Sequence, residues 1–339
     1  MSRVIRFHRF GPPDVLQCEE VPTPRPGKGE ILVKVEAIGV SWEDVLWRQN
    51  LAAEQAQLPA GIGSELAGTV VELGEDVTAF EIGQNVASFK AHTPNRYPAY
   101  GDMMVMPREA LTAYKKTEDF GPAAAATYFS AMLSAYLALT HIARLKPGQR
   151  VLVTESGLCI GGAMVQVAHA LGGEVIAATR FANKEDLLKK LGASAVVLTE
   201  EQDLAMTVAK LTDTRGVEVI ADGCGGNKMA VLGDVAAPCG KLILYGLDGG
   251  NEAAFPAWTA FRKHLQFAPF SLVDYTGQME LGIRCNKEVV RPALDWINQQ
   301  TESGALRAII DRTFPFTDFV AAHRHLEANP TLGRVALTL

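Results

Sequence analysis

Apolar positions follow two textures along this chain. Up to about Gly121 they alternate, as Ile31, Val33 and Val35 do against Leu32 and Lys34, which is the period of a strand with one face turned inward. Gly61, Gly63, Gly68, Gly74 and Gly83 divide the next passage, GIGSELAGTVVELGEDVTAFEIGQNVASF, into short segments. Short strands between glycine turns predict a small antiparallel barrel. From Pro122 the texture changes to AAAATYFSAMLSAYLALTHIARL, which predicts one long alanine-rich helix stopped by Lys146-Pro147-Gly148. Val151 to Val153 is then an unbroken apolar run, as a strand buried on both faces requires. Ile160, Met164, Val167, Ala168 and Leu171 recur at helical spacing up to Gly172-Gly173, and Val175 to Ala178 start another strand.

The alternation continues downstream. Helices are predicted over Lys184–Leu191, Leu204–Leu211 and Met229–Val235, with strands at Ala195–Leu198, Val217–Ala221 and Lys241–Tyr245. Strands alternating with helices mean a doubly wound parallel sheet. Leu265–Leu272 is expected to add an edge strand, Val289–Gln299 a helix, and GRVALTL a last strand returning to the first domain. The fold expected is therefore α/β, with a Rossmann-type domain over residues 123–275 and a β-barrel domain from residues 1–122 and 276–339.

Composition narrows the function classes. A chain of 339 residues suits about two domains of roughly 150 residues each. At 48% hydrophobic and 21% charged it can bury large cores. A net charge of −6 without a basic run argues against nucleic acid or an anionic membrane as partner. Cys18, Cys159, Cys224, Cys239 and Cys285 are scattered and never form CxxC, which suits a reducing compartment better than a disulfide framework or a zinc knuckle. The opening MSRVIRFHRFGPPDVL lacks a signal-peptide core, and no run of about 18 apolar residues occurs. A cytoplasmic location is expected.

Strand, small-residue turn, helix and strand over Val151–Arg180 make a βαβ unit whose turn aims helix N–H groups at a phosphate. The match to GxGxxG is partial: a fingerprint ending at Gly161 would want glycine where Ser156 and Leu158 stand. An ordinary ligand-free βα turn is the alternative.

The order of barrel, linking helix, nucleotide domain and C-terminal return resembles the medium-chain dehydrogenase/reductase superfamily over essentially the whole chain. The resemblance is carried by Pro59-x-Gly61-x-Gly63-x-Glu65-x-x-Gly68, the Val71–Val86 glycine run, Ser134-Ala135-Tyr136 and the glycine turn. Asp222 with Gly225-Gly226 and the terminal Gly333-Arg334-Val335 complete it. It implies a GroES-like barrel domain beside the Rossmann domain. Zinc members of the superfamily carry Cys, His and Cys at the places where this chain has Ser41, Ser64 and Ser130. Zinc takes thiolate, imidazole or carboxylate, and a neutral hydroxyl replaces none of them well. The cysteine lobe of a structural zinc is also missing, since Ala87–Met103 holds no cysteine. No metal is expected, and the chain resembles the zinc-independent quinone oxidoreductase (zeta-crystallin-like) branch.

That resemblance implies hydride transfer from NADPH to a quinone or an α,β-unsaturated carbonyl, acceptors in which added electron density delocalises without a Lewis acid. For the cofactor the candidates are Ser134, Gly157, Cys159, Ile160, Gly161, Thr179, Arg180, Lys184, Gly246 and Arg334; Ser134 fits back-bonding within its own helix as well, and Arg334 equally fits surface charge. NADPH is expected over NADH because Thr179 and Arg180 occupy the place of the acid that binds an NAD ribose, with Lys184 a turn later. Solvated surface charge is the plain alternative for Arg180 and Lys184. Leu158 and Cys159 stand where the family has Gly-Gly, and Cys159 reads either as a thiol near the cofactor or as a small packing residue.

Around the acceptor the candidates are Ser41, Asp44, Trp47, Ser64 and Ser130. Ser41 and Asp44 equally fit a helix-opening capping box, S-x-x-D. Trp42 or Trp47 offers an apolar wall, although a buried tryptophan is more often a core residue, while Glu65 reads as a member of a buried network. The family's tyrosine is replaced by Leu46, so no proton donor carries over; Tyr128, Tyr136 and Tyr245 remain candidates. Two other readings stay open, a reductase of enoyl thioesters and a non-catalytic NADPH-binding sensor or structural protein. A homodimer is expected, through the Leu265–Leu272 edge.

Overall fold

The computed structural model describes residues 1–278, 281–328 and 333–339. It divides into two compact units, residues 131–271 with 303–306 and residues 1–130 with 272–302 and 307–339.

The first unit is built on a six-stranded parallel sheet. From edge to edge its strands are Ala193–Leu198, Glu174–Thr179, Arg150–Val153, Val217–Asp222, Ala236–Leu244 and Gln266–Pro269. Val151, Leu152, Val153, Ala177, Ile220 and Ala221 have no exposed surface, so the strands in the middle are buried on both faces, which is why their sequences read as unbroken apolar runs. The chain runs outward from Arg150–Val153 to one edge, then returns to add Val217–Asp222 on the other side of it. That reversal opens a crevice at the carboxyl ends of these two strands, where ligands of such sheets bind. The helix Cys159–Ala170 crosses between the first two strands of the fold.

The second unit holds a seven-stranded sheet and a three-stranded one. In the larger, Glu30–Val40 pairs with Leu66–Leu73 and Met103–Pro107, and its far end pairs with Arg334–Thr338. The expected return of the last strand is thus met. The Glu30–Val40 alternation is less clean than expected, because Leu32 is buried along with Ile31, Val33 and Val35. Phe7, Ile38, Leu66, Tyr100, Met106 and Leu337 lie in one core.

Three features differ from the expectation. The long helix expected after Pro122 is broken into Pro122–Ala125, Phe129–Leu137 and a π-helical turn at Ala138–Ile142. Thr127 Oγ1 donates to the carbonyls of Ala123 (3.0 Å) and Ala124 (3.1 Å), and Thr140 Oγ1 to that of Tyr136 (2.7 Å); such back-bonding draws carbonyls away from the helical ladder. Residues 123–130, grouped with the nucleotide domain by composition, lie in the barrel unit. There the backbone N–H of Lys90 donates to Ser130 Oγ (3.0 Å), a tie that the alanine-rich texture does not reveal. The edge strand is also shorter than expected, Gln266–Pro269.

Candidate functional site

In the Rossmann unit the site begins at the end of the strand Arg150–Val153. Thr154 crosses to the neighbouring strand: its N–H donates to Ala221 O (2.9 Å) and its hydroxyl to Asp222 Oδ1. Asp222 also accepts from the backbone N–H groups of Cys224 (3.0 Å) and Gly225 (3.1 Å). Both loops at the crevice are thereby fixed by one buried carboxylate. Tyr245 adds a third tie, its hydroxyl donating to Thr154 O (3.0 Å), and burial pushes its pKa well above the phenol's usual value.

The turn that follows explains which glycines are needed. A Cβ at Gly157 would stand 2.4 Å from Thr179 Oγ1, and one at Gly161 would stand 2.5 Å from Glu155 O. Leu158 has φ −105° and ψ 165°, ordinary extended backbone, and Cys159 opens the helix. Neither position demands glycine, so the departure from Gly-Gly costs the turn nothing in backbone strain. Leu158 supplies no side-chain acceptor to the first helical turn, and the amides of Cys159, Ile160 and Gly161 lie at the positive end of the helix, which suits an anion such as a pyrophosphate.

The charge at the end of the second strand differs from the expectation. The strand-end sequence places no acid beside Arg180, yet its Nη1 lies 2.7 Å from Asp248 Oδ2 and 3.2 Å from Glu155 Oε2. Its guanidinium also covers the Phe181 ring, 4.7 Å from the centroid. Glu155 is 6% exposed and has φ 47°, in the left-handed region. Burial, with Asp248 and Asp222 nearby, raises its pKa against the pull of Arg180 and Lys228. Both acids come from loops far apart in sequence, beyond the reach of strand-end motif reading. Thr179 Oγ1 accepts from Phe181 N–H (3.1 Å), Lys184 ends the 3-10 turn Ala182–Lys184, Ser134 is buried on Phe129–Leu137, and Gly246 follows the strand Ala236–Leu244. A cavity of about 400 Å³ opens among Thr154, Glu155, Ala178, Asp222, Cys224 and Lys228. The helix terminus, the glycine cradle and Arg180 fit a phosphorylated dinucleotide; Glu155 and Asp248 compete with it for the guanidinium.

In the barrel unit, backbone pairing gathers the three serines at one end of the sheet. Ile38 pairs with Leu66 and Gly39 N–H donates to Glu65 O (2.9 Å), so Ser41 and Ser64 leave neighbouring strands together. Ser88 lies beside Leu66, whose N–H donates to Ser88 Oγ (2.8 Å), and Lys90 just beyond it holds Ser130. His92 follows, kept neutral by burial that pulls its pKa down to about 4. Among the described residues, no group of three or more His, Cys, Asp and Glu is placed to hold a metal ion.

Ser41 and Asp44 form the capping box in full: Ser41 N–H donates to Asp44 Oδ2 (2.8 Å) and Asp44 N–H to Ser41 Oγ (3.3 Å). Tyr100 donates to the same carboxylate (3.1 Å) and reaches His323 Nε2 at 3.4 Å. Burial drives Asp44 up to about 7 and His323 down to about 3. Tyr100 and His323 stand far from Asp44 along the chain, and nothing local in sequence joins them. Two further candidates have partners within the barrel unit. Trp47 is a core residue, 5% exposed, with its indole N–H donating to Gly61 O (3.0 Å) rather than forming a pocket wall; Trp42 is 54% exposed. Arg334 pairs with the buried Glu65, because a carboxylate in the core must have a cation. Tyr128 donates to or accepts from Thr301 Oγ1 (2.7 Å).

The two units and the dinucleotide-type crevice define a class, and comparison with known proteins agrees with it. The alcohol dehydrogenase GroES-like domain matches residues 27–132 and the zinc-binding dehydrogenase domain residues 159–298. The chain belongs to the medium-chain dehydrogenase/reductase superfamily, in its quinone oxidoreductase branch. It is 28% identical to a quinone oxidoreductase of Pseudomonas aeruginosa, over 99% of both proteins. It is 27% identical to a 2-haloacrylate reductase of a Burkholderia species, over 99% of this chain and 98% of the relative. The Escherichia coli quinone oxidoreductase solved with NADPH superposes with a TM-score of 0.84 at 25% identity, covering 100% of each chain.

Proposed function

We propose that the chain is an NADPH-dependent reductase of quinones or α,β-unsaturated carbonyl compounds. The observation that carries this reading is Arg180 at the end of the second Rossmann strand, beside a glycine turn whose helix terminus suits a pyrophosphate. The relatives that reduce quinones and haloacrylates support the acceptor class. Bound NADPH would supply the hydride. The amides of Cys159, Ile160 and Gly161 would hold the pyrophosphate, and Arg180 with Lys184 the 2′-phosphate. Ser41, Ser64 and Ser130 present hydroxyl groups, which can donate hydrogen bonds to an oxygen that gains charge. A conjugated acceptor spreads that charge and so needs less help than a simple ketone.

The protein in this reading is cytoplasmic, consistent with five cysteines that form no disulfide. It is a homodimer joined at the sheet edge Gln266–Pro269, a reading supported by Trp258 and Phe261 on the preceding helix, 77% and 84% exposed. Light scattering should give twice the chain mass.

Purified protein should oxidise NADPH in the presence of a benzoquinone or an enone, with unchanged rate after treatment with a chelator. Turnover confined to an enoyl-thioester panel would move the assignment to that substrate class. Tight NADPH binding with no turnover of any panel member would make the chain a binding protein.

A further inference from the structure

Arg180 faces two carboxylates, and they hold it differently. Asp248 accepts a hydrogen bond from Nη1 at 2.7 Å. Glu155 Oε2 lies within ionic reach at 3.2 Å but accepts no hydrogen bond among the described residues, although it is buried. A buried carboxylate oxygen without a donor is an unstable arrangement. It sits on a left-handed backbone at the mouth of the dinucleotide crevice, on the turn that carries Gly157 and Gly161.

The groups around Glu155 come from every neighbouring loop. Arg180 follows the second strand, Asp222 and Cys224 end the fourth, Tyr245 and Asp248 follow the fifth, and Lys228 lies on the turn Asn227–Val231. Three carboxylates thus stand against Arg180 and Lys228, and Lys228 is turned to the exposed Glu200 at 3.8 Å. A 2′-phosphate would add roughly two more negative charges here. Asp222 is fixed by two backbone donors and the Thr154 hydroxyl. Burial pushes the Cys224 thiol up to about 11 and the Tyr245 phenol well above its usual value, so neither loses a proton near neutral pH. Glu155 already lies above the usual carboxylate value, and a second anion beside it raises it further.

We propose that Glu155 governs the choice between NADPH and NADH through its own proton: ionised, it competes for Arg180, and protonated, it releases the guanidinium to the 2′-phosphate. The protonated carboxyl gains a donor that can face a phosphate oxygen. This inference rests on the reading that the crevice binds NADPH. Binding of NADPH is then coupled to uptake of a proton, and binding of NADH is not.

The test is calorimetric titration of the full chain with NADP⁺ and with NAD⁺ between pH 7 and 8.5, where the free 2′-phosphate is already almost wholly a dianion. Two buffers of different ionisation enthalpy give the number of protons taken up. NADP⁺ is expected to bind with uptake of close to one proton and to weaken by up to about tenfold per pH unit. NAD⁺ should show neither effect. Glu155→Gln should abolish the uptake and flatten the pH profile, while Asp248→Asn should keep both. Flat NADP⁺ affinity without proton uptake in the unaltered protein overturns the proposal, whatever the variants do. So does loss of uptake in Asp248→Asn with retention in Glu155→Gln. If neither nucleotide binds, the NADPH reading itself fails and this inference goes with it.

Discussion

The Tyr100 hydroxyl donates to Asp44 Oδ2 at 3.1 Å, and both side chains lie buried in the barrel unit beside His323. Desolvation acts on this acid and this base in opposite senses, because in each case it disfavours the charged form. Asp44 is raised from 3.8 to about 7 and His323 lowered from 6.5 to about 3.

The pH dependence of stability follows with its sign. Between pH 4 and 7 the folded chain keeps a proton on Asp44 that the unfolded chain has lost, so this group weakens the fold as pH rises. Between pH 3 and 6.5 the unfolded chain binds a proton at its histidine that folded His323 refuses, so this group strengthens the fold as pH rises. The two contributions oppose each other from pH 4 to 6.5. Asp44→Asn keeps an oxygen for Ser41 N–H and Tyr100 but removes the first contribution. Its stability should therefore rise between pH 5 and pH 7 by on the order of 2 kcal/mol more than that of the unaltered chain. Urea titrations at the two pH values measure the difference; equal changes in both proteins would contradict it.

Gly161→Ala should damage fold and site together. The new methyl would meet Glu155 O at 2.5 Å and Ser156 Cα at 2.7 Å, backbone atoms that cannot turn away. A loss of about 1–3 kcal/mol is expected, as for overpacked cores. Nucleotide affinity should fall by more than thermal stability explains, which fluorescence titration of NADPH on the folded variant would show.

Removing Arg334 alone should be worse than removing the whole pair. Arg334→Met leaves Glu65, 4% exposed, without its cation, at a cost of about 3–5 kcal/mol. Adding Glu65→Gln to that variant should restore a large part of the loss. Denaturation of the four proteins in the double-mutant cycle measures the coupling.

Tyr245→Phe should leave kcat within about twofold and lower stability by about 0.5–1.5 kcal/mol, the net worth of one hydrogen bond. Its hydroxyl serves Thr154 O. A large fall in kcat with unchanged stability would make Tyr245 the proton donor instead.

The parallel sheet was legible because strand segments such as Val151–Val153 and Val219–Ala221 are buried on both faces and must be apolar throughout. The capping box at Ser41 and Asp44 was legible because its partners lie within one helical turn. Other features depend on contacts that no local pattern encodes. Glu155 and Asp248 reach Arg180 from separate loops, Tyr100 and His323 reach Asp44 across the barrel unit, and Arg334 finds Glu65 from the last strand. Trp47 shows the same limit from another side, since a tryptophan reads alike whether it lines a cleft or fills a core. The broken helix after Pro122 turned on two threonine hydroxyls, small groups that an alanine-rich texture hides.

The strand Arg334–Thr338 lies directly against Glu30–Val40, with Ile310–Pro315 outside it. During synthesis the Rossmann unit, almost all of it a continuous stretch, emerges complete while the barrel still lacks these two strands. Until they arrive, the far end of Glu30–Val40, Ala37 to Val40, lacks its partner strand and stays open to stray pairing. Quality control on the ribosome would therefore meet a finished nucleotide domain tethered to a barrel still short of two strands, and that strand end is the place where a chaperone has most to shield.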